Sequence, residues 1–212
     1  MIENTLETKK ILVADDHPIV REGLAAVFAG TNDYVCVGLA SGVEDAIEQW
    51  FLLNPDIGVF DLRMADGDAV GAISRIKAQD PNARILVVSS FDGEEEVYRV
   101  MKAGARGYML KDSEPEKIID AVRKIHAGRR YLPAHLADKM MERVSMSDLS
   151  PREIEVLQLA AGGQSNARMA DDIGVSKSTI KFHLNNAYSK LGVSTRTAAI
   201  STAVKRGIII LE

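Results

Sequence analysis

Five short apolar runs, each followed by an amphipathic stretch, constrain this chain more than any other feature of its 212 residues. "KILVADD", "YVCVGLA", "DIGVFD", "RILVVSS" and "GYMLK" read as strands, and residues 18–29, 43–52, 69–79, 94–103 and 115–126 as the helices that follow them. Runs so uniformly apolar suit strands covered on both faces, and strands separated by helices pair in parallel. The expected fold is an α/β doubly wound, five-stranded parallel sheet. In such sheets ligands bind outside the carboxyl ends of the strands.

From about residue 146 the pattern shows no strands. "SPREIEVLQLAAGG" places Ser150 as a helix cap, Pro151 in the first turn and Glu153 three residues after the cap, a capping box, and the Gly162–Gly163 pair ends that helix. A short helix, a turn at Gly174–Val175, a cap at Ser176, a longer helix to about Leu191 and a last helix ended by Gly207 complete a small all-α helix–turn–helix domain. The expected domains are residues 9–126 and 148–212, joined over residues 127–147 by a polar linker with some helical character.

The net charge of −4 hides an asymmetry: residues 1–126 carry 14 Lys and Arg against 22 acids, whereas residues 146–212 carry 8 against 6. The tail's excess is slight, so a nucleic-acid footprint there must come from clustering. No apolar stretch approaches the roughly 18 residues needed to cross a membrane, and the acid-bearing N-terminus lacks the apolar core of a signal peptide. The single cysteine, Cys36, excludes an internal disulfide and a multi-cysteine metal site; within "YVCVGLA" it reads as a core residue in a reducing cytoplasm.

Asp15 and Asp16, Asp61, Ser89 and Lys111 all stand at the ends of apolar runs, so a parallel sheet brings them to one rim. Like carboxylates raise one another's pKa unless a cation intervenes, and Mg2+ suits hard oxygen ligands while binding few carboxylates. Lys111 offers a point charge to a phosphoryl oxygen, and Ser89 a hydroxyl donor to another. With the metal shielding its charge, Asp61 is a candidate nucleophile and phosphoryl acceptor. One such acid alone would read as a helix cap or a solvated group; the full set in this order does not. His17 reads as a loop histidine beside the acids rather than a phosphoryl carrier.

"ILVADDHPIVREGL", "VFDLRM", "ILVVSSFD" and "GARGYMLKD" resemble the receiver domain of two-component response regulators, whose fold is flavodoxin-like. The resemblance implies that Asp15, Asp16, Asp61 and the main-chain carbonyl of Arg63 hold Mg2+, that Asp61 is phosphorylated, and that Ser89 and Lys111 contact the phosphoryl group. It also implies that Tyr108 rotates inward when Ser89 moves; without it, Tyr108 is equally a half-buried strand aromatic. Ala65 stands where the family usually has Pro, which bears on the shape of the "MADGDA" loop and not on the chemistry.

In the helix "KSTIKFHLNNAYSKLGV", Lys177, Lys181 and Asn185 recur every four residues and share a face, while Ile180, Leu184, Ala187 and Leu191 read as an opposing apolar stripe. Lys and Asn suit the major groove, where Lys recognises guanine and Asn adenine. The tail resembles the LuxR-type helix–turn–helix, and with the receiver it gives the NarL/FixJ architecture. By that resemblance Lys181, Phe182 and Asn185 face base edges, and Lys177, Thr179 and His183 lie closer to the DNA backbone. Arg168 and Met169 depart from the usual "KEI", and Asn185 from a frequent Ser or Lys. The implied partners are a sensor histidine kinase, double-stranded DNA with paired half-sites, a second copy of the chain when phosphorylated, and RNA polymerase. Ala198, Ala199, Ala203 and Val204 in the last helix serve either a dimer contact or the covering of the recognition helix.

Two other functions share part of this pattern. Mg-dependent phosphatases of the haloacid-dehalogenase type also use a strand-end Asp nucleophile, but carry a second acid two residues later, where this chain has Arg63. Ligand-responsive quorum-type LuxR regulators share only the tail. A phosphorylation-controlled transcription regulator, not an enzyme, is the reading that uses both halves.

Overall fold

Successive strand residues face opposite sides of the sheet, and here both sides are buried except along the edge strand that carries the exposed Val35 and Leu39. In the computed structural model, which describes residues 8–144 and 149–210, β1 (Lys9–Ala14), β2 (Tyr34–Ala40), β3 (Ile57–Asp61), β6 (Ile85–Ser89) and β7 (Gly107–Leu110) form one sheet in the order β2-β1-β3-β6-β7. Every pairing in it is parallel. Ile11, Val13, Val59, Leu86, Val88 and Met109 join one apolar cluster with Leu24 and Phe28 of α1 (Pro18–Ala29) and Ile118, Val122 and Ile125 of α5 (Pro115–His126). On the other side Phe60 meets the ring of Trp50 edge-on, from α2 (Val43–Leu53), and α3 (Ala69–Gln79) packs beside α2. Gly58 permits this approach: a Cβ there would stand 2.7 Å from the Phe60 ring and 3.0 Å from Trp50. Burial on both faces is why the strands read as unbroken apolar runs.

Two short strands were not expected. β4 (Arg63–Met64) and β5 (Gly67–Asp68) pair antiparallel around Ala65 and Asp66. Asp66 accepts hydrogen bonds from the N–H groups of Val43 (2.8 Å) and Glu44 (3.2 Å), capping α2 from 23 residues away, and Asp68 caps α3 through Gly71 N–H. This is the loop where Ala65 departs from the family pattern. In the stretch expected as linker, Tyr131 bridges the outer edge of β7, its carbonyl accepting from Tyr108 N–H, so edge groups of that strand find a partner. The helix α6 (Ala134–Val144) follows. Cys36 is only half-buried on the edge strand β2; burial pushes its thiol up, away from a reactive thiolate.

The chain divides into two units, residues 1–92 with 99–137 and residues 93–98 with 138–212. α4 (Glu94–Ala103) spans that division. In the second, α7 (Pro151–Ala161), α8 (Asn166–Ile173), α9 (Lys177–Leu191) and α10 (Arg196–Lys205) enclose one apolar cluster. The capping box forms as expected: Ser150 Oγ accepts from Glu153 N–H, and Glu153 Oε2 accepts from Ser150 N–H at 2.7 Å. Ser165, Ser176 and Thr195 cap α8, α9 and α10 through their side-chain oxygens alone, which accept from Arg168, Thr179 and Ala198 N–H. Gly174 takes a left-handed conformation (φ 74°) that closes α8 and starts the turn into α9. Ala199 and Ala203 are fully buried in the shared cluster with Val204 packed on it, so these residues cover α9 and two of the four are not available to a partner.

Candidate functional site

The strand ends converge as the alternation requires. Asp61 ends the central strand β3, Ser89 ends β6, and Asp15 and Lys111 follow β1 and β7 directly. Lys111 Nζ lies 2.7 Å from Asp15 Oδ2 and 2.8 Å from Asp61 Oδ2, so one ammonium joins two strand ends. Ligand atoms of Asp15, Asp16, His17 and Asp61 all lie within 4.8 Å of one another. Asp15 is fully buried and Asp61 nearly so. Asp15 Oδ2 and Asp16 Oδ1 are buried without a hydrogen bond of good geometry; against them lie Lys111 Nζ and His17 Nδ1, the latter 2.6 Å from Asp16 Oδ1. Three converging carboxylates, two of which keep an under-satisfied oxygen, suit a hard divalent cation. His17, expected as a loop histidine beside the acids, stands at the edge of this acidic cluster.

The electrostatics follow from burial. Desolvation raises the Asp61 pKa, the Asp15 charge adds to it, and the Lys111 contact and a main-chain hydrogen bond from Arg63 only partly offset them. Burial works against the Lys111 ammonium, but the hydrogen bonds and charges of Asp15 and Asp61 outweigh it and raise its pKa. Lys111 is therefore held charged beside two acids, one of which binds its proton more tightly than an ordinary aspartate.

Ser89 is fully buried, and its Oγ accepts from Phe91 N–H at 3.1 Å. Tyr108 is fully buried rather than half-buried, its ring already inside, and its hydroxyl donates to the Phe91 carbonyl at 2.6 Å. The Arg63 side chain is exposed and lies with its guanidinium carbon 4.0 Å from the centre of the Phe91 ring. Phe91 thus ties together the Ser89, Tyr108 and Arg63 positions, and nothing in the sequence singles it out, because two of its three contacts, to Tyr108 and Arg63, come from distant strands.

The second unit presents α9. Ile180, Leu184, Ala187 and Leu191 are buried, and Lys177, Lys181, Phe182 and Asn185 are exposed. Thr179 and His183 are half-buried beside them. At 100° per residue the lysine row is not opposite the apolar stripe: Lys181 lies about 90° from its middle, Asn185 about 130° and Phe182 about 170°. The helix crest therefore belongs to Phe182. Arg196, which the sequence did not mark, donates from Nη2 to the carbonyls of Ala160 (3.0 Å) and Gln164 (2.6 Å) and from Nη1 to Asn166 Oδ1, closing the α7–α8 turn onto α10.

Residues 11–123 match the family described as the response regulator receiver domain, and residues 147–203 the bacterial regulatory proteins of the luxR family. The chain is 35% identical over 207 residues to the response regulator protein VraR of Staphylococcus aureus, over 95% of this chain and 99% of that one. Among solved structures it is similar to the response regulator ChrA of a haem-sensing two-component system, at 35% identity over 95% of this chain and 99% of that chain, with a TM-score of 0.55. It is also similar to RcsB from Salmonella enterica serovar Typhimurium, bound to a promoter in the presence of the phosphomimetic BeF3−, at 25% identity over 94% and 99% of the chains, with a TM-score of 0.72.

Proposed function

Because the chain belongs to the NarL/FixJ family of two-component response regulators, a receiver domain joined to a LuxR-type DNA-binding domain, we propose that Asp61 accepts a phosphoryl group from a sensor histidine kinase and that this group switches the second domain's action on DNA. The carrying observation is the single Lys111 ammonium within 2.8 Å of both Asp15 and Asp61 at the rim of the sheet. In the transfer an Asp61 carboxylate oxygen attacks phosphorus, the P–N bond to the donor imidazole breaks, and that nitrogen keeps the bonding pair and takes a proton. Asp15, Asp16 and Asp61, with the main-chain carbonyl of Arg63, would hold Mg2+, which supplies positive charge against the acidic rim and the phosphoryl oxygens. Lys111 gives its charge to one phosphoryl oxygen. Ser89, whose Oγ already accepts from Phe91 N–H, gives its hydroxyl hydrogen to another. A drawn-in Ser89 pulls on Phe91, whose carbonyl holds Tyr108, and so alters the face around β6 and β7.

In the second domain Lys181, Phe182 and Asn185 take the base edges, and Lys177, Thr179 and His183 the DNA backbone. One small helix–turn–helix buries limited area, and such modules bind paired half-sites as dimers. Phosphorylation acts by releasing the tail, by favouring the dimer, or both. Moving such a switch from mostly off to mostly on requires about 5.5 kcal/mol of differential stabilisation. The regulator works in the cytoplasm, with RNA polymerase as its further partner, and is not itself an enzyme. The phosphatase alternative fares worse, because Arg63 replaces the second acid and its side chain lies on Phe91.

Mass spectrometry after incubation with acetyl phosphate and Mg2+ tests the first half: a gain of about 80 Da on Asp61, the mass of one phosphoryl group, is expected. Analytical ultracentrifugation with and without beryllofluoride tests the second. If neither mass nor DNA affinity changes with the mimic bound, the chain is not switched by phosphorylation.

A further inference from the structure

Phe182 is 60% exposed, although every other large apolar side chain on the N-terminal two turns of α9 is buried. It stands about 170° from the middle of the buried stripe, at 100° per residue, the part of the helix farthest from its own core. Leaving a phenylalanine there forgoes the burial that a core position would bring. Its ring is oriented: the His183 ring meets it edge-on, with centroids 5.6 Å apart and planes at 69°. Lys181 is its neighbour in sequence, Lys177 shares the flank, and Ser178 and Asn185, one turn away on either side, are exposed and polar. An apolar ring framed by two lysines, serine and asparagine does not resemble a surface for another apolar protein face. It suits a polyanion that carries isolated apolar groups, and the major groove offers one such group, the C5-methyl of thymine.

We propose that Phe182 determines part of this regulator's sequence specificity by packing its ring on a thymine methyl group in the major groove. The proposal rests on the DNA-binding reading given above and adds the chemical group that is read. Asn185, one turn on and also near the crest, sets the ring beside a residue suited to adenine. The pair would therefore favour a site with thymine next to, or across from, the adenine that Asn185 contacts.

The test uses the full chain with beryllofluoride and duplexes selected by it from a random pool. Each thymine of the selected site is then replaced, one at a time, by deoxyuridine, which removes only the methyl group. At one thymine per half-site the wild type should lose about fourfold in affinity, the value of one buried methyl. Phe182→Ala should bind the thymine and uracil duplexes alike, and Phe182→Leu should retain part of the difference. Because Phe182 is exposed, the thermal melting of both variants should match the wild type. The proposal is overturned if no uracil substitution weakens the wild type, or if Phe182→Ala keeps the full thymine preference. A chain that selects no duplex at all would instead sink the DNA-binding reading, and the proposal with it.

Discussion

Lys190, near the C-terminal end of α9, lies 2.8 Å from Glu153 of α7, so the helix proposed to meet DNA is anchored at its far end to the capping box of another. Glu153 is buried, which by itself raises its pKa, but the Lys190 contact and the Ser150 hydrogen bonds outweigh this and hold the carboxyl below its usual range. Its stabilising effect is therefore fully present above the ordinary glutamate pKa and lost as pH falls through the lower, folded value. Glu153→Gln should lower stability by roughly 1–3 kcal/mol at neutral pH, the scale of a charge-assisted hydrogen bond, and the gap from wild type should narrow in acid. Thermal melts followed by circular dichroism across that range check it, and a gap independent of pH would refute the ion pair's role.

Asp61→Asn should abolish phosphoryl uptake from acetyl phosphate. A variant that gains the phosphoryl mass as readily as wild type would remove Asp61 as acceptor. Asp16→Asn should weaken Mg2+ binding without destroying the fold, and an unchanged metal titration would take Asp16 out of the cation's shell.

The same Asp61→Asn change should raise stability when Mg2+ is absent. The Asp61 pKa is raised, chiefly by desolvation, so its ionised form costs stability above the folded pKa and that cost disappears below the unfolded one. The excess stability of the variant should be greatest near neutral pH without Mg2+. It should shrink in acid and on adding Mg2+. Chemical denaturation at two pH values and two Mg2+ concentrations reads this directly, and a destabilised variant at neutral pH would contradict it.

Lys181→Ala should weaken DNA binding by roughly 1–3 kcal/mol and relax base preference. Lys177→Ala should instead reduce affinity alike for all sequences and flatten the salt dependence. Equal loss of specificity in both would mean that the two lysines are assigned the wrong way round.

Much of this molecule is legible in one dimension. The limits expected for α1, α3, α4 and α5 agree with the helices found, and the strand order follows a parallel α/β pattern, because apolar periodicity and caps are local signals. Asp15, Asp16, Asp61, Ser89 and Lys111 could be placed together from sequence because each stands at the end of its own apolar run and a parallel sheet has one carboxyl rim. What tertiary structure alone decided depends on distance across the chain: Asp66 capping α2, Arg196 clasping the α7–α8 turn, Lys190 on Glu153, and Phe91 between Ser89, Tyr108 and Arg63. It also decided which small residues of α10 are core and that Phe182 crowns α9. Apart from the local Ser89–Phe91 contact, such pairings join residues 17 to 37 positions apart, or set a residue's exposure by what packs behind it. Periodicity within one helix or strand carries no information about either, since only the packed chain determines which neighbours a side chain meets.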